Sequence, residues 1–350
     1  MGKSYQNTTV GVIGAGSFGS AIANLLAENC DVIVFSRREN VVAQINTENK
    51  NGAISMHPRV KATNSMEEIT SKCLLLYPVI PSADFRKVIR SFAPFLRPDH
   101  IMIHGTKGLD IHALKGEELS AKTAIPKEKV NTMSEIILQE TVVKRVGCLA
   151  GPNLSAELNQ LQPAATVIAS HYDEVIRAAQ ETLRSKRFMV YHSKDITGVE
   201  LAGVLKNIIA MAAGALSGIG YGENTKALLI SRGMVEMIHI GQALGGDARA
   251  FFGLAGVGDL IATCSTKQSR NFTVGYRLSQ GESIEEIMAS MDEVAEGINT
   301  LKITKGLINM YKMRAPITET IFKIMSGETT MQKAIEYLML YPFSVDVDYI

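Results

Sequence analysis

The chain has 350 residues, 46% hydrophobic and 20% charged, an ordinary globular balance at a length that favours two domains over one core. A formal net charge of +1 provides no field for nucleic acid or an anionic membrane. The cysteines, Cys30, Cys73, Cys148 and Cys264, lie too far apart for a CxxC pair or a zinc spacing, so no metal site is expected and the thiols read as buried and reduced.

The start, MGKSYQNTT, is polar and lacks the apolar core of an export signal, which points to the cytoplasm. The first element is a short strand at Val10, Val12 and Ile13, inside TTVGVIGAGSFGSAIANLLAEN at residues 8–29. Gly14, Gly16 and Gly19 follow as G-x-G-x-x-G, and an apolar helix comes next. The first glycine permits the tight turn, the second lets the backbone approach a pyrophosphate, and the third lets the helix pack on the strand. The helix start offers N–H groups and a positive dipole end to phosphate. The pattern is weak alone; its place between strand and helix makes it a dinucleotide site. The next strand, DVIVFS at 31–36, ends at Arg37 and Arg38, about 20 residues past the glycines, where an NAD-only site usually carries an acid for the ribose hydroxyls. Two arginines there either hold a 2′-phosphate or form a solvated strand end.

Strands are expected at 73–81, 100–108, 145–152, 164–170 and 187–193, with helical segments at 82–93 and 129–143 between the earlier ones. Such alternation argues for a doubly wound α/β sheet. Ligands of these sheets bind beyond the carboxyl ends of the strands. Lys107 in HGTKGLD, flanked by two glycines, and Gly151, Pro152 and Asn153 in LAGPNLSAEL stand at such ends.

From about Asp195 the strand pattern stops. Residues 195–217, 225–244, 247–263, 283–291, 294–312 and 317–340 read as helices, so a dinucleotide-binding domain over 1–193 is followed by an all-helical domain over 194–350. In LAGVLKNIIAMAAGALSG, at 201–218, apolar residues recur at helical spacing, yet Lys206 and Asn207 interrupt them. They also break the one run long enough to span a membrane, so no stable insertion is expected. A buried, unpaired ammonium costs several kcal/mol. Gly203, Ala210, Ala213, Gly214 and Ser217 share the lysine's side of the helix and, being small, leave space over it. The bland alternative is a lysine snorkelling from the helix edge. Asp259, within FFGLAGVGDLIATC, is available to pair it. Arg270 and Asn271 of the following SRN are available to fork onto a phosphate or carboxylate.

Together GAGSFGSAIA, HGTKGLD, GVELAGVLKNIIAMAAG, GYGENTKALLISRG, FFGLAGVGDLIATC, SRNFTVG and EVAEGI make the sequence resemble the soluble bacterial NAD(P)-dependent glycerol-3-phosphate dehydrogenases over nearly the whole chain. A bare dinucleotide motif would bring neither the lysine–asparagine helix nor GLAGVGDL. The resemblance implies a Rossmann-type domain with an all-helical one, commonly as a homodimer. It implies NAD or NADP and reversible reduction of dihydroxyacetone phosphate to sn-glycerol 3-phosphate, a precursor of glycerophospholipids. It gives Lys206 the role of acid/base, Lys107 that of a second cation near the substrate, and Asp259 that of their acidic partner. It assigns Gly151, Asn153, Asn207, Ser269, Arg270 and Asn271 to the substrate, with the SRN triplet on its phosphate. Beside the three glycines it assigns Ser17, Phe18, Arg37, Arg38, Lys107, Ser155, Arg270 and Glu296 to the cofactor. The family usually reads G-P-S-F-A-x-E where this chain has GPNLSAE, so Asn153 and Ser155 replace Ser and Ala. NKNGAISMHPRV also departs from the usual tyrosine- and proline-containing segment, and YPFSVDVDYI suggests no role. Two rivals are a related dehydrogenase acting on a β-hydroxy acid and a catalytically silent nucleotide sensor on the same fold. SRN with GLAGVGDL favours the phosphate substrate, and Lys107, Lys206, Asp259 and Arg270 together favour catalysis.

Overall fold

A computed structural model describes residues 4–111, 120–291, 295–342 and 345–346. The chain forms two compact units, Met1–Lys107 with Met133–Ile196, and Gly108–Thr132 with Thr197–Ile350.

The first unit runs β1 (Thr9–Ile13), α1 (Ser17–Leu26), β2 (Asp31–Phe35), α2 (Glu39–Glu48), β3 (Lys50–Asn51), β4 (Ile54–Ser55), β5 (Val60–Thr63), α3 (Met66–Lys72), β6 (Leu75–Pro78), α4 (Ser82–Phe92) and β7 (Ile101–His104). It resumes with α5 (Met133–Glu140), β8 (Arg145–Ala150), α6 (Ser155–Asn159), β9 (Ala164–Ala169), α7 (Asp173–Leu183) and β10 (Phe188–Ser193). The main sheet has 8 strands in the order β10-β9-β8-β7-β6-β1-β2-β5. Its pairs are parallel except β8 with β9. Both faces are covered. Val10 and Val12 pack with Leu25 of α1, Ile45 of α2 and Leu183 of α7, while Ile13 packs with Ile69 of α3, Phe85 of α4 and Ile136 of α5. Two-sided burial is why the central strands read as continuous apolar runs. All four cysteines are buried thiols.

The second unit holds α8 (Ile196–Gly218), α9 (Glu223–Ala243), α10 (Ala248–Phe252), α11 (Asp259–Cys264), α12 (Arg270–Ser279), α13 (Ile284–Ser290), α14 (Glu296–Tyr311), α15 (Pro316–Met325) and α16 (Met331–Met339). Helix α8 is long and apolar enough to cross a membrane, but 94% of its most apolar window is buried in the protein, so it is built as a core helix.

Several elements depart from the expected ones for local reasons. The helix expected over 129–143 is shorter, because Asn131 exchanges backbone hydrogen bonds of 2.9 and 2.8 Å with Asp110 and is drawn out of it. The stretch 247–263 is two helices joined by a π turn at Leu254–Gly258, where Gly256 sits so close to Phe251 that a Cβ would lie 1.9 Å from its carbonyl oxygen. The stretch 317–340 breaks at Gly327, with φ of +73°, before Thr330 caps α16. Helix α12 is an addition, started by Ser269. Residues 292–294, the last of which is the expected start of the 294–312 helix, lie outside the described residues, as do 343–344 and 347–350 of the tail.

A single cut after residue 193 assigns 108–132 to the first domain, whereas that segment packs with the second unit. The Ile125 N–H donates to the Gly306 carbonyl over 2.9 Å. The Asn309 carboxamide donates to the carbonyls of Ala121 and Thr123, each over 2.8 Å.

Candidate functional site

In the first unit the glycine loop divides its tasks by position. Gly14 has a φ of +119°, and a Cβ there would lie 2.3 Å from the Val79 carbonyl oxygen, so both dihedral and space demand glycine. A Cβ on Gly19 would lie 2.0 Å from the Gly14 carbonyl oxygen, which binds helix to loop. A Cβ on Gly16 would meet nothing within 4 Å. Gly16 is the N-cap of α1, and Ser17 and Phe18 open the helix. Open space before a run of N–H groups at a helix start fits a pyrophosphate. Phe18 lies across Gly105 after β7, its Cε1 3.1 Å from where a Cβ would stand.

The ends of β7 and β8 are tied together. Lys107 Nζ donates to the Gly151 carbonyl over 3.1 Å. Gly151 has a φ of +143°. Asn153 Nδ2 donates to the carbonyls of Pro152 and Ala165, at 3.1 and 3.0 Å. Its buried Oδ1 has no hydrogen-bond partner, an acceptor of the kind a ligand donor satisfies. The longer Asn in place of the family's Ser thus spends its nitrogen on the strand end and leaves its oxygen unspent. Ser155 is the half-buried first residue of α6. At the end of β2, Arg37 and Arg38 are exposed. The Arg37 side chain is 64% accessible and stands 4.0 Å from the Asp84 carboxylate.

The second unit answers why α8 carries a lysine. Lys206 is 5% exposed and Asp259 2%. Lys206 Nζ lies 2.9 Å from Asp259 Oδ1 and also donates to the Thr263 hydroxyl. Thr263 in turn donates to the Asp259 backbone carbonyl over 2.6 Å. The ammonium is therefore held in a buried pair and does not snorkel. Truncating one partner of such a pair costs about 3–5 kcal/mol, so the arrangement is held firmly. Cys264 follows Thr263 in α11, and burial pushes its thiol up to about 12, which excludes a thiolate here at neutral pH.

Helix α12 is docked by glycines. A Cβ on Gly214 would lie 1.9 Å from the Phe272 carbonyl oxygen, and one on Gly275 would lie 1.7 Å from that of Met211. The small face of α8 is thus partly filled by the α12 backbone; at Gly214 it is not open space. This contact brings the start of α12 to the lysine helix. Ser269 accepts from the Phe272 N–H over 3.2 Å as the helix cap. Arg270 is half-buried behind it. Asn271 Oδ1 accepts from the Gly297 N–H over 2.9 Å, which fixes its carboxamide. A Cβ on Gly297 would also lie 3.1 Å from the Asn207 carbonyl oxygen, so Asn207, Asn271 and the residue after Glu296 converge.

The second unit thus gathers Lys206, Asn207, Asp259, Ser269, Arg270, Asn271 and Glu296 around α8, α11, α12 and the start of α14. The first gathers Gly14, Gly16, Ser17, Phe18 and Gly19 at one strand end and Lys107, Gly151 and Asn153 at two others. Sequence reasoning passed over Thr263. Its signal is the spacing: it falls one helical turn after Asp259, where i,i+4 side chains meet. No group of three or more metal-ligating side chains occurs among the described residues.

Family profiles match both parts of the chain. The NAD-dependent glycerol-3-phosphate dehydrogenase N-terminus matches residues 9–213 and the corresponding C-terminus matches residues 195–336. The glycerol-3-phosphate dehydrogenase (NAD(P)+) of Pseudomonas aeruginosa strain LESB58 is 37% identical over 350 residues, covering 99% of this chain and 98% of that one. The crystal structure of glycerol-3-phosphate dehydrogenase from Coxiella burnetii superposes with a TM-score of 0.84 at 29% identity, over 95% of this chain and 99% of that one. A PanE/ApbA family ketopantoate reductase from Ralstonia eutropha shares only the fold, with a TM-score of 0.53 at 15% identity over 91% of this chain and 97% of that one.

Proposed function

The chain belongs to the NAD-dependent glycerol-3-phosphate dehydrogenase family, and on that premise we propose that Lys206, held by Asp259 and Thr263, is the acid/base of its reaction. The reaction is the reduction of dihydroxyacetone phosphate to sn-glycerol 3-phosphate with NAD(P)H, and its reverse. The observation that carries the assignment is the buried Lys206–Asp259 pair, 2.9 Å apart, in a mostly apolar helix whose one other charged residue is Glu200.

Reducing a ketone builds negative charge on its oxygen, and a positioned cation stabilises that charge. Lys206 supplies the cation and then the proton, from Nζ to the new alkoxide. Asp259 stabilises the ammonium before transfer and, with Thr263, fixes the direction of Nζ. The nicotinamide cofactor supplies the hydride when bound. Gly14, Gly16, Ser17, Phe18 and Gly19 hold its pyrophosphate; Arg37 and Arg38 serve its adenosine end. Ser155, Lys107, Arg270 and Glu296 belong to its remaining contacts. Lys107 is also the second cation of the substrate site, with Gly151 and Asn153 beside it. Ser269, Arg270 and Asn271 take the substrate phosphate, with Asn207 alongside. That phosphate is remote from the reacting carbon, so binding it positions the carbonyl.

The wider setting we propose is a cytoplasmic homodimer, not inserted in membrane and not bound to nucleic acid, that supplies the glycerol backbone of phospholipids. The test of the site is substrate discrimination. Arg270→Ala should lower kcat/KM for dihydroxyacetone phosphate far more than for unphosphorylated dihydroxyacetone. A charge-assisted hydrogen bond is worth about 1.5–3 kcal/mol. Equal losses on the two ketones would remove Arg270 from the phosphate.

A further inference from the structure

The segment that fits the family's pattern least, NKNGAISMHPRV, lies against the glycine loop of the first unit. Its hairpin pairs Lys50 and Asn51 of β3 with Ser55 and Ile54 of β4. Asn51 is half-buried. Its Nδ2 donates to the Ala15 carbonyl over 3.0 Å and to the buried Ser20 hydroxyl over 2.8 Å. A carbonyl oxygen only accepts, so the carboxamide must turn its nitrogen to Ala15. Ala15 stands between Gly14 and Gly16, in the middle of the loop.

The hairpin has other anchors. Asn24 of α1 donates to the Ser55 carbonyl and accepts from the His57 N–H, each over 2.9 Å. The Gly52 N–H donates to the Gln44 side chain of α2 over 3.0 Å. Docking of the hairpin therefore does not depend on Asn51, and the contact with Ala15 calls for a use of its own.

We propose that Asn51 is a positioning residue for the cofactor: by holding the Ala15 carbonyl, it aims the Gly16 N–H at the pyrophosphate. The Ala15 carbonyl and the Gly16 N–H belong to one planar trans peptide, in which they point in opposite directions. Fixing one fixes the other. Gly16 has a φ of −80°, but glycine accepts either sign of φ, so this peptide turns over at little steric cost unless something holds it. A turned peptide would withdraw a donor from the pyrophosphate and present it with the negative end of a carbonyl dipole instead. Ser20 takes the second amide hydrogen of Asn51, which fixes the carboxamide plane against the first turn of α1. This inference rests on the reading of the Gly14–Gly19 loop as the pyrophosphate cradle.

The experiment is fluorescence titration of the full-length enzyme with NADH, with kinetics and thermal melts alongside, on Asn51→Ala and Asn51→Asp. Aspartate keeps the side-chain shape, but its ionised carboxylate only accepts, so it cannot hold a carbonyl. In both variants Kd for NADH should rise about fivefold or more, the size of one lost hydrogen bond. ADP-ribose, which keeps the pyrophosphate and lacks the nicotinamide, should weaken by the same factor. NADPH should lose as much as NADH, because the 2′-phosphate lies at the other end of the molecule. At saturating cofactor, kcat and KM for dihydroxyacetone phosphate should stay within about twofold of wild type, the split expected when only cofactor binding is lost. Asn24→Ala is the control. It loosens the hairpin without touching Ala15, so its melting temperature should fall while NADH affinity stays near wild type.

Unchanged NADH affinity in Asn51→Ala overturns the proposal. So does an equal loss in Asn24→Ala, which would assign the effect to the hairpin as a whole, and so does a loss confined to one of the two cofactors. If Gly16→Ala binds NADH as wild type does, the cradle reading has failed and the role of Asn51 falls with it. If Gly16→Ala weakens NADH and Asn51→Ala does not, the cradle stands and only the role of Asn51 is lost.

Discussion

Gly16 and Lys206 are opposite ways of making a site. At Gly16 a Cβ would meet nothing within 4 Å; the feature is room beside a row of N–H groups, and its cost is only the backbone freedom of glycine. At Lys206 the side chain is 6% accessible against an Asp259 side chain at 3%; the feature is charge kept out of water, which is stable only while its partner stays in place. The first kind of site tolerates change in its neighbours and fails when its space is filled. The second fails when either charge is removed, in stability and in chemistry together. A hydride-transfer enzyme needs both: a cofactor must come and go, whereas an acid must stay in one position while it gives and regains its proton.

The sharpest way to break this comparison is Lys206→Met. Loss of a general acid typically removes about 10²–10⁴-fold in rate. The variant also strands a buried carboxylate at Asp259, so melting temperature should fall with turnover, while NADH affinity, read by fluorescence, stays near wild type. Replacing the whole pair, Lys206→Met with Asp259→Leu, should recover the melting temperature and none of the turnover. If the double variant is no more stable than the single one, the pair does not hold the cluster as described.

The two kinds of site were also unequally legible in the sequence. Gly14, Gly16 and Gly19 could be read because their requirements are local: a dihedral, a gap, a close approach. Lys206 showed because it breaks an apolar period, and Asp259 because it stands alone among apolar residues. Thr263 did not show, since a threonine inside a short apolar helix has an ordinary structural use. Ser269 was read as a phosphate ligand, and its oxygen is also the cap of α12, a helix that the pattern of SRNFTVG hardly announces. β5, with the four residues VKAT, is too short for alternation to mark. The placement of 108–132 depends on Asn309, whose partners are 186 and 188 residues away, and no local pattern encodes such a pairing.

Paired glycine variants sharpen the other side. Gly14→Ala forces an alanine to a φ of +119° with its Cβ 2.3 Å from a carbonyl oxygen, so it should lose several kcal/mol of stability. Gly16→Ala adopts a φ of −80°, which any residue accepts, with no steric obstacle. It should melt with wild type yet bind NADH at least tenfold more weakly, about 1.4 kcal/mol, because the methyl occupies the pyrophosphate's approach. Unchanged NADH affinity in Gly16→Ala would sink the cradle reading.

The helical unit holds a second buried charge with a different solution. Glu236 of α9 accepts from the N–H groups of Ile317 and Thr318, each over 2.8 Å, and from the Thr318 hydroxyl. Burial pushes its carboxyl up to about 7, against the opposing pull of those three hydrogen bonds. A carboxyl whose folded value is raised contributes stability below its unfolded value near 4.5 and loses it as pH rises through 7. Wild type should therefore lose stability relative to Glu236→Gln between pH 5 and pH 8. The loss is at most about 1.4 kcal/mol for each tenfold by which folding tightens the carboxyl's hold on its proton. Thermal melts of both proteins across that range decide it; parallel curves would mean that the hydrogen bonds outweigh burial.

The smallest effect is expected where the cofactor site is most open. Arg37 is 64% accessible and 4.0 Å from Asp84, so its charge acts through water and is screened by salt. A guanidinium there attracts a 2′-phosphate that an acid would repel. NADPH should be used at least as well as NADH, and Arg37→Ala should lower kcat/KM for NADPH relative to NADH by about tenfold or less, close to 1.4 kcal/mol. The loss should shrink as ionic strength rises, which a packing role for the side chain would not produce. Glu39, exposed in the first turn of α2, is the competing influence, since it is placed near enough in sequence to take ribose hydroxyls and favour NADH. A wild type that prefers NADH by more than tenfold would show that Glu39 governs the choice and that the arginines at the end of β2 are a solvated strand end.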